Sequence, residues 1–397
     1  MNKIFIRLFQ VFSNQLVKLI KWEDPLVLSG EKTLNKLPKM LKEQKIVNVF
    51  VIVDPNIYRL GLSDAFLDGL KEVGINYELY TEVKNNPTIE SIEKTLTSYQ
   101  KKVFDLTIVI GGGSAIDTAK LTLIVAENKG KKLKQLRGYF KVRKRIPPLI
   151  AVPTTAGSGS EVTIAAVVTN DETHEKYAIT SPKILPRMVV LDPNLTINLP
   201  PSITAYTGMD ALVHAIECYI GKANTKYTKK ISLEAIKIIW NNLRIAVEDG
   251  KNTDARNKML EASFKAGCAF TRGFVGYVHA ISHQLSGFYN IPHGLANAVI
   301  LPKVLEQYGK AINKDMYKIY KALGYQDNLS MDEARCFIIN EIYKMNNSLN
   351  IPKKFEGVLE KDIETMVKRC MKEAHPMYPV PKILSKKSLI NIYKEMI

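Results

Sequence analysis

The segment Phe104–Lys120, FDLTIVIGGGSAIDTAK, sets the expected architecture. Phe104–Ile110 is a β-branched, apolar run of the kind that fills a strand buried on both faces. Gly111, Gly112, Gly113 and Ser114 follow at once, and a helical stretch comes after them. A buried strand that turns through glycines into a helix can cradle phosphate. Glycine lets the backbone approach the ligand, and the helix N-terminus offers N–H groups with a partial positive charge. The spacing is not G-x-G-x-x-G, so the strand–turn–helix context carries this reading and not the Rossmann fingerprint.

The same rhythm extends on both sides. Val47–Val53 (VNVFVIV) predicts a buried strand, Ala65–Val73 a helix, Tyr77–Tyr80 a strand and Ile89–Gln100 a helix. Leu149–Val152, Ile164–Val168 and Met188–Leu191 add further strands. Alternating β and α elements predict a parallel sheet covered by helices. Past Pro200-Pro201 the pattern turns helical, as in Gly208–Tyr219, Thr228–Val247, Ala255–Ala269 and Leu329–Met345. The expected organisation is an amphipathic extension over 1–22, an α/β dinucleotide-binding domain with a parallel sheet over 23–199, and an all-α metal-binding domain over 200–397.

Composition narrows the class. The 397 residues are 46% apolar, enough for a large core, which argues against disorder. The four cysteines, Cys218, Cys268, Cys336 and Cys370, are far apart and form no C-x-x-C pair. That excludes a disulfide scaffold and a thiolate zinc module, and it suits a cytoplasmic setting. No apolar run is long enough for a transmembrane helix. The net charge of +17 includes a dense stretch, Lys129–Arg145, with nine Lys or Arg and no acid. It holds no nucleic-acid motif, so a solvated connecting segment is expected there and no nucleic-acid partner.

Between Met1 and Trp22, Ile4, Phe5, Leu8, Phe9, Phe12, Leu16, Leu19 and Ile20 fall near one helical stripe, with Lys3, Arg7, Lys18 and Lys21 mostly between them. No signal-peptide pattern is present. Two readings stand: a helix packed on its own subunit or a dimer mate, and a docking helix for a membrane surface or a multienzyme assembly. On the docking reading, removing Met1–Ile20 leaves activity intact.

A second loop, Pro153-Thr154-Thr155-Ala156-Gly157-Ser158-Gly159-Ser160-Glu161, also follows a strand and offers hydroxyl and backbone donors. Together the two loops suggest a nucleotide held at strand carboxyl ends. Asp54, at the end of VFVIV, suits the ribose hydroxyls of NAD; it equally suits a helix N-cap before Pro55 and Asn56. The chain has six histidines: His174, His214, His279, His283, His293 and His375. Asp210 and His214 stand at i and i+4, as do His279 and His283. One carboxylate and three imidazoles can close around a divalent metal, and spacing leaves open which of His279 and His283 takes part.

These segments, GGGSAIDTAK, PTTAGSGSEVT, GMDALVHAIECY and GYVHAISHQLSGFYNIPHGLANAVILP, resemble the iron-dependent (group III) alcohol dehydrogenases, in that family's order. The resemblance implies a dehydroquinate-synthase-like architecture with the active site in a cleft between the domains. It implies Asp210, His214, His279 and His293 as metal ligands and His283 as a proton relay near the nicotinamide. It further implies NAD contacts from Asp54, Asn86, Gly112, Gly113, Ser114, Asp117, Thr154, Thr155 and Lys176, and a substrate pocket touching Phe270 and Ala165. Fe(II) is the metal it implies, although the donor set also suits Zn. The expected reaction interconverts a small primary alcohol or diol and its aldehyde with NAD(H), in a homodimer. A cyclising lyase of the dehydroquinate-synthase type and a polyol dehydrogenase are the alternatives. Two features depart from the family pattern: the segment before residue 20, and Thr271-Arg272, where Arg272 is expected in a surface salt bridge or at the substrate.

Overall fold

The computed structural model describes residues 3–18, 20, 22–172 and 175–397. Leu19, Lys21 and His174 lie outside the described residues, as do the side chains of Leu16 and Lys18. The chain divides into two compact units. One comprises Trp22–Leu199 with Lys251–Leu260, and the other Met1–Lys21, Pro200–Gly250 and Glu261–Ile397.

The first unit is built on strands β1 (Leu26–Ser29), β2 (Asn48–Val53), β3 (Asn76–Tyr80), β4 (Leu106–Gly111), β5 (Gly138–Tyr139), β6 (Leu149–Pro153), β7 (Ala165–Thr169), β8 (Lys176–Thr180) and β9 (Met188–Leu191). Six of them form a parallel sheet in the order β1-β9-β6-β4-β2-β3. Among the helices of this unit are α2 (Thr33–Glu43), α3 (Pro55–Arg59), α4 (Asp64–Glu72), α5 (Ile89–Tyr99), α6 (Gly113–Glu127) and α7 (Leu133–Leu136). The predicted buried runs are the central strands: every residue of β4 and β6 is buried. One core cluster collects Val49, Val51, Ile108 and Ile110, another Phe50, Ile52 and Val109, as period-2 alternation requires of a sheet covered on both faces.

Register places the ligand-facing ends together. Val53 pairs with Ile110 and Gly111 with Pro153, so β2, β4 and β6 end side by side. The Lys129–Arg145 stretch is a connecting segment pinned by buried Leu133, Leu136 and Val142, with Lys129, Lys132, Lys134, Arg143, Lys144 and Arg145 exposed. β1, β5 and β8 were not expected from sequence; β7 and β8 form an antiparallel pair in a separate three-stranded sheet.

The second unit is helical throughout its described residues. It contains α1 (Lys3–Lys18), α8 (Pro201–Ile220), α9 (Lys226–Glu248), most of α10 (Thr253–Gly273), α11 (Tyr277–Tyr289), α12 (His293–Tyr308), α13 (Asn313–Ala322), α14 (Met331–Ser348), α15 (Ile363–Ala374) and α16 (Lys386–Lys394). α8 is buried at every residue from Gly208 to Ile220, so apolar residues fill that stretch except along the face that carries Asp210, His214 and Glu217. α1 packs on its own unit through buried Ile6 and Gln10, the first of the two readings. Its other face leaves Ile4, Phe5, Leu8, Val11 and Phe12 exposed. No helix of the described residues is long and apolar enough to cross a membrane.

Candidate metal and cofactor sites

In the helical unit, three helices bring their polar residues to one point. α8 supplies Asp210 and His214, α11 supplies His279, and α12 opens with His293. Gly294 makes this possible. A Cβ there would run into the backbone carbonyl of Tyr206, so the start of α12 lies directly against α8 and His293 is carried to Asp210. Ligand atoms of Asp210, His279 and His293 all lie within 4.8 Å of one another. Asp210 Oδ1 is 3.8 Å from His279 Nε2 and 3.6 Å from His293 Nε2. His214 stands beside them, with Nδ1 3.9 Å from Asp210 Oδ1 and its ring 4.4 Å from that of His279.

Neighbouring hydrogen bonds fix which nitrogens face inward. His279 Nδ1 lies 2.7 Å from Glu217 Oε2, and His293 Nδ1 lies 3.0 Å from Ser282 Oγ. With Nδ1–H donated outward in each case, both Nε2 lone pairs point into the cluster. The amide nitrogen of Asn297 donates to Asp210 Oδ1 at 2.6 Å and sits 3.1 Å from His293 Nε2 and 3.4 Å from His279 Nε2. One electropositive group thus already occupies the point on which three acceptors converge. A divalent cation suits that donor set for the same reason. Burial holds the His279 imidazolium pKa well below its ordinary value, which favours the neutral, ligating form.

Glu217 is the carboxylate behind His279. Besides the imidazole it accepts from the backbone N–H of Gly276 and of Val278, each at 2.8 Å. Burial pushes its carboxyl up to about 7, against the pull of those N–H groups. Sequence reasoning missed it, although Asp210, His214 and Glu217 share one helical face at spacings of four and three. Asn297, at i+4 from His293, carried the same kind of signal.

His283 lies on α11 one turn past His279 and is more open. Its ring stacks on that of His293 at 5.1 Å and 17°. Its Nδ1 is 2.6 Å from Glu373 Oε1. Glu373 could not be found from the sequence, since 90 residues separate it from His283. Phe270 stacks on His214 at 4.0 Å and 12°. Arg272 places its guanidinium 5.1 Å from the centre of the Tyr227 ring and donates to the Cys268 carbonyl at 2.7 Å.

In the α/β unit the two loops touch. The backbone N–H of Thr154 donates to Gly111 O at 3.2 Å, and a Cβ on Gly113 would sit 2.9 Å from Ser158 Oγ. A side chain on Gly113 would therefore require the Ser158 side chain to move aside. Gly112 is the N-cap of α6, so the first N–H groups of that helix open between the loops. Asn86, in the left-handed region at φ 56°, donates its N–H to Ser114 Oγ at 3.2 Å and accepts from Lys176 Nζ at 2.9 Å. Asp54 caps α3 by accepting from Asn56 N at 2.8 Å while standing at the end of β2, as its N-cap reading expects. Asp117 is turned inward: its carboxylate accepts from Val167 N at 3.0 Å, and burial raises its pKa to about 6. Ala165 begins β7, and its carbonyl accepts from Lys120 Nζ at 3.1 Å.

Comparison with known proteins bears on the whole chain. The iron-containing alcohol dehydrogenase family description matches residues 25–193, and its C-terminal counterpart matches residues 204–397. The chain belongs to the iron-containing alcohol dehydrogenase family. Among relatives of that family, alcohol dehydrogenase 4 of Saccharomyces cerevisiae (strain YJM789) is 34% identical over 377 residues, covering 94% of this chain and 96% of its own. A 1,3-propanediol dehydrogenase of Citrobacter freundii is 37% identical over 339 residues, covering 84% and 87%. The crystal structure of a 1,3-propanediol oxidoreductase superposes with a TM-score of 0.91 at 32% identity, covering 96% of this chain and 100% of that one. The fold is therefore that of iron-containing alcohol dehydrogenases, as the four sequence segments implied. Helix α1 precedes both matched segments of the family.

Proposed function

We propose that this chain interconverts a small primary alcohol or diol and its aldehyde, using NAD(H) and a divalent metal, Fe(II) by family likeness. The observation that carries the reading is the convergence of Asp210, His279 and His293, with both Nε2 lone pairs turned inward. We assign the metal to Asp210, His214, His279 and His293. A cation held there supplies Lewis-acid polarisation of the carbinol or carbonyl oxygen. His283 is the proton relay, held by Glu373 at Nδ1 and exchanging protons at its other ring nitrogen. Phe270 stacks on His214, and we place it and Ala165 at the substrate.

For the cofactor, Gly112, Gly113, Ser114, Thr154 and Thr155 offer the backbone and hydroxyl donors that pyrophosphate takes. Asn86, which donates to Ser114, and Lys176, which donates to Asn86, extend that group. Asp54 accepts ribose hydroxyls and repels a 2′-phosphate, which favours NAD over NADP. Asp117 acts one layer back, tying α6 to β7 through Val167.

Names of relatives, which include 1,3-propanediol, choline, methanol and long-chain-alcohol dehydrogenases, support a hydroxyl compound as the substrate class. We extend the reading to a cytoplasmic homodimer, with the exposed face of α1 open to a protein partner in a multienzyme assembly. The test is a panel of short alcohols and aldehydes with NAD(H) and NADP(H), on anaerobically Fe(II)-loaded protein. NADH accumulating in step with alcohol consumed supports the dehydrogenase. NAD recycled within each turnover would support a cyclising lyase instead.

A further inference from the structure

Glu373 holds His283 in one orientation because both of its oxygens are taken. Oε1 accepts from His283 Nδ1 at 2.6 Å and from the Tyr378 hydroxyl at 2.9 Å, and Oε2 accepts from Gln284 Nε2 at 3.1 Å. A carboxylate so fixed sets both the plane and the tautomer of the imidazole it binds. Tyr378 therefore matters to His283, and what holds Tyr378 matters in turn.

Tyr378 opens the segment Tyr378-Pro379-Val380-Pro381, which has no regular secondary structure. Two of its four residues are prolines without an N–H; the other two N–H groups are taken locally, Tyr378 N by Ala374 O and Val380 N by Tyr378 O, each at 2.8 Å, so ties to other elements fall to its carbonyls. One carbonyl, that of Pro379, accepts from Lys222 N at 2.6 Å. The other three accept from α1. Gln10 Nε2 donates to Tyr378 O at 2.6 Å, Arg7 Nη1 to Val380 O at 2.7 Å and Arg7 Nη2 to Pro381 O at 3.1 Å. Arg7 also donates to Gln10 Oε1 at 2.8 Å, so the two side chains brace each other. Gln10 is only 2% exposed, which commits its amide to these partners.

We infer that helix α1 is a positioning element of the proton relay: through Arg7 and Gln10 it holds the Tyr378–Pro381 segment, whose tyrosine fixes Glu373 against His283. This rests on the relay role proposed above for His283. Helix α1 lies outside the segments matched to the family. Its positioning role reverses the expectation that the extension can be removed with activity intact.

The test uses the full-length, metal-loaded protein. Arg7→Ala/Gln10→Ala is expected to lower kcat about tenfold, the scale of one lost hydrogen bond to a charged group. KM and metal per chain should stay unchanged, and the solvent deuterium isotope effect on kcat should rise as proton transfer becomes limiting. Tyr378→Phe, which keeps the ring and removes only the hydroxyl, should move the same readouts in the same direction. In a Glu373→Gln background the Arg7→Ala/Gln10→Ala change should cost little more, because the link it acts through is already broken. Wild-type kcat in folded Arg7→Ala/Gln10→Ala and Tyr378→Phe proteins would overturn the inference. So would an undiminished loss in the Glu373→Gln background. His283→Gln separates the two levels. If it turns over at the wild-type rate, the relay itself is wrong; if it is slow while the α1 variants are fast, only the role of α1 is wrong.

Discussion

Glu217→Gln should weaken metal binding without changing the shape of the site. Glu217 presents Oε2 to Gly276 N–H and to His279 Nδ1, and Oε1 to Val278 N–H. Glutamine can keep an oxygen on only one side. The better choice keeps it where two donors point, which turns the NH2 group against the Val278 N–H. One buried donor is then left facing another, at a cost of about 1–3 kcal/mol. The bond to His279 survives but loses its charge assistance, about half its strength. The imidazole becomes a poorer ligand and is less firmly aimed, so metal affinity should fall about 10- to 100-fold. Chelator competition followed by metal analysis measures this directly, with circular dichroism to check the fold. Wild-type affinity in a folded Glu217→Gln protein would refute the reasoning, because Glu217 would then be a structural cap for the turn before α11 and nothing more.

Other substitutions probe separate parts of the structure. Gly294→Ala places a methyl group against the Tyr206 backbone, so α12 must shift away from α8; bound metal should be lost while the helical content persists. Lys120→Met removes a fully buried ammonium that donates to Ser160 O, Thr163 O, Thr163 Oγ1 and Ala165 O. It should destabilise the α/β unit by about 3–5 kcal/mol in denaturant unfolding, with the carbonyls and the neighbouring buried Asp117 and Glu161 left uncompensated. Asp105 accepts from Val47 N and Asn48 N, which hold its pKa below the ordinary carboxylate value. Its contribution is therefore present above the unfolded pKa and lost as pH falls through the folded one. The stability gap between wild type and Asp105→Asn should shrink from about pH 5 to about pH 3.

What was legible in the sequence follows from where burial is complete. β2, β4 and β6 announced themselves because five or more consecutive buried positions force an apolar run. β1 is short and almost wholly exposed, and β8 is short and incompletely buried, so neither Leu26–Ser29 nor Lys176–Thr180 carries the long apolar run that marks a fully buried strand. Glycines and histidines show themselves through spacing within one element, and Glu217 carries the same signal on the face of α8 it shares with Asp210 and His214. Glu373 and the partners of α1 were beyond reach. The bonds from His283 to Glu373 and from Arg7 to Val380 join residues 90 and 373 positions apart, and such pairs leave no local pattern.

Metal content and turnover across the histidine variants, on anaerobically Fe(II)-loaded protein, probe the site assignment at its root. His279→Ala and His293→Ala should fail to retain metal, and His283→Ala should retain it while losing turnover. Metal lost from His283→Ala but kept by His279→Ala would contradict the assignment of ligand and relay.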